Sequence, residues 1–192
     1  MSAIAGVSRR GFLSGLASVL GLGAEGGEMT TKQSSMRRLT VTSSKPFQDV
    51  VTAFEAAVGH PNLTEFMTQL NGAKTYAEME SVVQAAVSKA GFMQFARFDL
   101  GAVIRKENGQ DEPRSIRYLV GNPLIMKEMV KHVPDAGSYA PVTVLIDERA
   151  DAVHLSYDLM SAFLSPYGNK GALEVARDLD AKVESLLKEA AA

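Results

Sequence analysis

Around residue 91 the spacing of apolar residues changes from every third or fourth position to every second one. This switch constrains the fold more than any other feature of the 192-residue chain. Upstream, Phe47, Val50, Val51, Phe54 and Val58 recur at i, i+3, i+4, i+7 and i+11, one face of an amphipathic helix. Two more helices follow. Asn62-Leu63-Thr64-Glu65 and Thr75-Tyr76-Ala77-Glu78 each place a side-chain acceptor three residues before a carboxylate, the capping-box spacing. The expected buried stripes are Leu63, Phe66, Met67 and Leu70, then Tyr76, Met79, Val82, Val83 and Val87. Gly59-His60-Pro61, Asn71-Gly72 and Gly91 punctuate these segments.

Beyond Gly91 the period is that of strands. Segments 92–98, 102–106, 115–120, 141–146 and 152–158 are expected strands, with residues 37–44 as an earlier one carrying Leu39 and Val41 inward. Arg97 is expected opposite Phe92 and Phe98, and Arg117 opposite Ile116 and Tyr118, so one face is covered and one is wet. The continuous apolar run 141–146 is expected to be central and covered on both faces. Residues 107–113, 134–137 and 147–151 are turns. Asn122 suits an N-cap and Pro123 the first helical position after it. Helical spacing returns at the end in Ala172, Val175, Ala176, Leu179, Val183, Leu186 and Ala190. Two strand pairs, each followed by a helix, give an α+β domain over residues 37–190. Its sheet is mostly antiparallel, its helices pack on one face, and a long C-terminal helix closes it.

Apolar residues make up 46% of the chain, enough for a sizeable core. A net charge of −2 without a basic stripe argues against nucleic acid as a partner. The chain has no cysteine, which removes thiolate catalysis, disulfides and Cys-ligated metal centres.

The first 28 residues admit three readings. Ser8-Arg9-Arg10-Gly11-Phe12-Leu13 matches the bacterial twin-arginine pattern, and an uncharged run of fourteen residues follows to Ala24. That run is too short for a helix to cross a ~30 Å hydrocarbon core, so no membrane span is expected. Small residues at Gly21 and Gly23 stand where a signal peptidase cuts, without the usual Ala-x-Ala. Under this reading the folded domain is exported to the periplasm. Alternatively, Glu25-Gly26-Gly27-Glu28 can be encoded by purine-rich codons resembling a ribosome-binding sequence, and translation starts at Met29, leaving the protein cytoplasmic. The third reading is an amphipathic anchor. Residues 29–36 form a leader under all three.

Three stretches, "RYLVGNPLIMKEM", "APVTVLIDE" and "VHLSYD", together resemble the prokaryotic domain-of-unknown-function family 302. There, an apolar strand runs into Gly-Asn-Pro and a helix, followed by a Pro-led strand, a turn and a strand ending near Ser-Tyr. The matching residues are Gly121, Asn122, Pro123, Pro141, Ser156 and Tyr157, and the likeness covers about residues 38–165. It implies a compact α+β fold, often an intimate dimer sharing its sheet, and no settled activity. This chain adds a helix at 62–70 and its long C-terminal helix.

Chemistry-bearing residues are sparse. His60, His132 and His154 lack a shared metal-ligand spacing and suit surface or capping duty. They are also the candidates for an axial haem ligand, with methionines lining the pocket. Arg97, Arg105 and Arg117 are candidates to converge on an anion or a haem propionate. Tyr139 and Tyr167 are candidates to rim a pocket or dimer seam, while Tyr157 belongs to the core. Asp147, Glu148 and Asp151 are better explained as a solvated hairpin tip than as an acid/base pair. Gly121-Asn122-Pro123 is better explained as a capped turn than as an anion cradle. No nucleophile–base pair or metal triad is legible. The expectation is a dimeric domain binding a small apolar or anionic ligand in a methionine- and phenylalanine-rich interior. A haem or other cofactor protein exported folded is the alternative, and an enzyme without a cofactor ranks third.

Overall fold

The computed structural model describes residues 30–110 and 113–192; the twin-arginine segment lies outside them. The chain runs β1 (Arg38–Ser43), α1 (Phe47–Ala57), α2 (Leu63–Gly72), α3 (Tyr76–Ala86), β2 (Met93–Asp99), α4 (Leu100–Asn108) and β3 (Ser115–Gly121). It continues through α5 (Pro123–Val130), a 3₁₀ turn (Pro134–Tyr139), β4 (Val142–Glu148), β5 (Val153–Asp158), α6 (Met160–Leu164), a second 3₁₀ turn (Ser165–Tyr167) and α7 (Lys170–Ala191). The strands form one sheet in the order β1-β5-β4-β3-β2, and every adjacent pair is antiparallel.

Pairing register lines up Leu39, Tyr157, Val144, Tyr118 and Arg97 across the sheet, and beside them Val41, Leu155, Ile146, Ile116 and Asp99. The apolar members of these rows pack against α1 and α7 through Val50, Val51, Phe54, Leu179, Val183 and Leu186. Each such side chain taken fully out of water contributes about 1.5–3 kcal/mol, so this single interface dominates the stability. A smaller apolar cluster of Phe66, Val83 and Met93 lies under α2 and α3. The opposite face carries the row Thr40, Ser156, Leu145, Arg117 and Phe98.

Two carboxylates hold polar groups inside the covered face. Asp180 of α7 accepts hydrogen bonds from the Tyr157 hydroxyl at 2.7 Å and from the backbone N–H groups of Met160 at 2.8 Å and Ser161 at 3.2 Å. It thereby caps α6 from a neighbouring helix and ties β5 to α7. Glu55 of α1 accepts from the Tyr118 hydroxyl at 2.6 Å and from Arg97 Nε at 3.0 Å. Burial first, and then the adjacent carboxylate, pushes both tyrosine hydroxyls far above the ordinary phenol range, so both stay protonated donors.

Caps follow the sequence closely. Asn62 accepts from the N–H groups of Thr64 and Glu65, Thr75 accepts from Glu78, and Asn122 accepts from Leu124 with Pro123 opening α5. Five expectations are corrected. Residues 102–106 are helical rather than a strand: Asp99 accepts from the Ala102 N–H at 2.8 Å, and Gly109 ends the helix at φ 70°. The central strand β4 is covered on one face only, with Thr143 exposed and Leu145 half-buried. Arg97 lies on the helix side, because the β2–β3 register shifts between Gln94 and Ala96, and a one-residue slip exchanges the faces. Met67 is 45% and Tyr76 52% exposed, so neither belongs to a buried stripe. The 134–137 turn is wound into a 3₁₀ helix.

Gly59 joins α1 to the sheet. Its N–H donates to the Phe92 carbonyl at 2.9 Å, its carbonyl accepts from Gln94 N–H at 2.8 Å, and a Cβ there would collide with the Ala86 carbonyl. Gly59→Ala is expected to cost about 1–3 kcal/mol by overpacking. Asp180→Ala, which leaves the buried Tyr157 hydroxyl without its acceptor and uncaps α6, is expected to cost about 3 kcal/mol, and Asp180→Asn less, since an amide keeps one acceptor oxygen. Urea unfolding followed by circular dichroism checks both; an Asp180→Ala midpoint equal to the parent's would dismiss the second.

Candidate functional site

The sheet presents two concavities where β3 ends and β4 begins, one on each face. Gly121 closes β3 and Asn122 starts α5, so the chain leaves the sheet abruptly and its backbone stands beside Pro141 of the entry to β4. A Cβ at Gly121 would lie 3.2 Å from Pro141 Cβ and 3.4 Å from Phe95 Cε2, so glycine lets these three segments close together. The Ala140–Pro141 bond is cis. Asn122 serves as cap and clamp: its Oδ1 accepts from the Leu124 N–H at 2.9 Å, and its Nδ2 donates to the Gly91 carbonyl at 3.0 Å. The cap is filled by the protein itself, in keeping with the turn reading of this motif.

On the helix side of this junction is an apolar cavity of about 220 Å³. α2 contributes Phe66, Met67 and Leu70, β2 contributes Phe95, α5 contributes Met126 and Met129, and α7 contributes Leu179. None of the side chains lining it is charged, and Asn122, its polar side chain, is already engaged. For scale, an engineered cavity of about 150 Å³ lined by aliphatic and aromatic groups stays dry and binds benzene. Methionine walls adapt to a range of shapes, because the thioether is unbranched and polarizable. Such a chamber can bind; it holds no nucleophile, acid or base with which to react.

On the open face is a second cavity of about 340 Å³, bounded by Arg117, Tyr139, Thr143, Asp158 and Phe163. Tyr139 stacks on Phe163 with ring centroids 5.0 Å apart and planes at 11°, and its hydroxyl lies 3.4 Å from that of Tyr167. Arg117 and Tyr139 thus share one pocket, with Tyr167 next to it. The other two arginines are elsewhere. Arg97 pairs with Glu55 under α1, and Arg105 pairs with Asp99 at 2.8 Å on α4. The expected three-arginine cluster therefore does not form, because the register shift turns Arg97 to the other face and the segment bearing Arg105 is a helix.

Each histidine has a local role. His60 Nε2 donates to the Glu55 carbonyl at 2.7 Å, His132 packs where a Gly171 Cβ would be, and His154 Nε2 donates to the Asp151 carboxylate at 3.1 Å. None of the three lines the apolar cavity, so the methionines there are not matched by an imidazole and that cavity does not fit a histidine-ligated haem. Around the β4–β5 turn each acid has its own partner: Asp147 with Arg149, Glu148 with Arg114, and Asp151 with the His154 ring. That is a solvated hairpin, not an acid/base pair. Ser156 shares a 3.2 Å hydroxyl contact with Thr40 on the open face, while Tyr157 turns inward to Asp180.

The residues missed by sequence reasoning are those that converge from distant segments: Phe66, Met126 and Leu179 in the apolar cavity, and Asp180 beneath α6. The signal for the first group was the abundance of methionine and phenylalanine. For Asp180 it was a carboxylate one position from Leu179 on the apolar side of an otherwise regular helix.

No curated protein matches the chain. A solved structure, that of an uncharacterized conserved DUF302 protein from Bacillus stearothermophilus, superposes with a TM-score of 0.57 at 11% identity, covering 80% of this chain and 97% of that one. At that identity the likeness speaks for the fold alone. The family model described as domain of unknown function DUF302 matches residues 66–190, from α2 through both cavities and most of α7. The chain belongs to the DUF302 family.

Proposed function

We propose that this domain binds a small apolar molecule, or the apolar part of a larger one, in the cavity between α2, α5 and the β3–β4 junction. The observation that carries the reading is an uncharged chamber of about 220 Å³ walled by phenylalanine, methionine and leucine. Its size suits a substituted single ring, a fused pair or a short acyl chain. Uptake is driven by apolar burial and limited by shape, so selectivity among ligands of similar size is modest. A series from toluene to naphthalene, followed by thermal shift and ligand-detected NMR, tests this. At a ligand concentration of 100 Kd the folded state gains about 2.7 kcal/mol. Met67 stands at the rim and is 45% exposed, so Met67→Trp is expected to plug the cavity and abolish binding while leaving the melting temperature without ligand within a few degrees. Absence of binding across the series, or undiminished binding in the plugged variant, would refute the reading.

A second reading concerns assembly. Phe98, Leu100, Val103 and Ile104 are 45%, 41%, 72% and 43% exposed, grouped where β2 runs into α4. A cluster of large apolar groups facing water commonly marks an interface, and the implied family habit of sheet-sharing dimers points to a second copy of this chain. Sedimentation equilibrium is expected to give a dimer for the parent and a monomer for Val103→Glu/Ile104→Glu; a monomeric parent would dismiss it.

We also propose that the domain is exported folded, on the strength of Ser8-Arg9-Arg10-Gly11-Phe12-Leu13 and the apolar run behind it. The first residue of the mature protein decides the matter: a start near Ala24 supports export, whereas Met29 supports an internal start and a cytoplasmic protein.

A further inference from the structure

We propose that the open face of the sheet carries a second, independent site, anchored by Arg117 and walled by Tyr139, that takes a small monocarboxylate with a flat apolar body. Arg117 occupies an outward position of β3, between Phe98 and Leu145 in the pairing register. Five other arginines are each neutralised by a carboxylate: Arg38 by Asp158, Arg97 by Glu55, Arg105 by Asp99, Arg114 by Glu148 and Arg149 by Asp147. Arg117 forms no such ion pair among the described residues. Its guanidinium reaches the Thr143 hydroxyl at 3.4 Å and lies over the Phe98 ring, 5.9 Å from the centroid. Arg37 and Arg177 share the lack of an ion pair, but neither lines either cavity.

The surroundings of Arg117 make it more than a solvated surface cation. It opens into the cavity of about 340 Å³, within the usual size range of small-molecule sites. The acid on that wall, Asp158, is already held by Arg38 through two bonds of 2.7 and 2.9 Å, so its charge is compensated and the charge of Arg117 is left over. The cavity is also lined by Tyr139 and Phe163, whose rings stack on each other. A planar guanidinium offers a two-bond fork to a carboxylate, and an aromatic wall suits a flat body behind it. Among the described residues, Arg117 is the one cationic side chain lining this cavity, which matches a single carboxylate better than a multiply charged phosphate.

Benzoate, benzamide and inorganic phosphate, titrated separately into the full chain and followed by ¹H–¹⁵N correlation NMR, test the proposal. Benzoate is expected to shift the amides of residues 138–140, 142 and 143, with benzamide and phosphate at least tenfold weaker. Arg117→Ala is expected to weaken benzoate at least tenfold and Arg117→Lys by less, since an ammonium keeps the charge and loses the fork. Circular dichroism confirms that each variant is folded. Met67→Trp, which plugs the apolar cavity, is expected to leave benzoate binding unchanged, so failure of one site is distinguishable from failure of the other. Benzamide or phosphate binding as tightly as benzoate would overturn the proposal. So would full benzoate affinity in Arg117→Ala, loss of benzoate binding in Met67→Trp, or no shift in the parent.

Discussion

The structure depends on burying one face of a five-stranded antiparallel sheet beneath α1 and α7. Ile116, Tyr118 and Val120 of β3, Val142, Val144 and Ile146 of β4, and Val153, Leu155 and Tyr157 of β5 point to that side, and α7 supplies the matching stripe from Ala172 to Ala190. Because the strand period is two, the same register that buries Tyr157, Val144 and Tyr118 must turn Ser156, Thr143 and Arg117 outward. Covering one face thus creates the other, and the two cavities inherit opposite chemistry from it. The chamber on the helix side is lined by core-type residues and carries no charge. The one on the open side has an arginine and an aromatic wall.

Burying large tyrosines has a cost that the fold meets locally. Tyr118 and Tyr157 contribute wide apolar rings to the core, yet each brings a hydroxyl that needs a partner away from bulk water. Glu55 and Asp180 accept hydrogen bonds from those hydroxyls, and each does a second task with the same carboxylate. Glu55 draws in Arg97 from the edge strand, and Asp180 caps α6. The helix–sheet interface is therefore oriented by two polar anchors as well as held by area, which sets where α6 and the Tyr139–Phe163 stack stand above the open-face pocket.

Local signals were legible where the deciding interaction is local. Asn62, Thr75 and Asn122 cap their helices through N–H groups two or three residues away, and such contacts are fixed by spacing along the chain. The one mistaken element, residues 102–106, was decided by its flanks: Asp99 as cap and Gly109 as stop outweigh the short apolar run Ala102-Val103-Ile104, whose periodicity is ambiguous at that length. Arg97 was misplaced because a register shift at Phe95 leaves no trace in alternation. The three arginines failed to gather for the same reason, together with the helical course of α4.

By itself, the sequence determined the α+β class, the helix starts, the strand alternation and the Gly121-Asn122-Pro123 junction. These follow from contacts within a few residues or from periodicities that repeat along one segment. Tertiary structure alone decided which positions face one another: that Phe66, Phe95, Met126 and Leu179 line one cavity, that Asp180 reaches α6, and that Arg117 has no carboxylate partner among the described residues. Each of these is set by strand register and helix placement, which bring together segments far apart in the chain. The free energy selecting them belongs to the whole covered interface rather than to any local stretch.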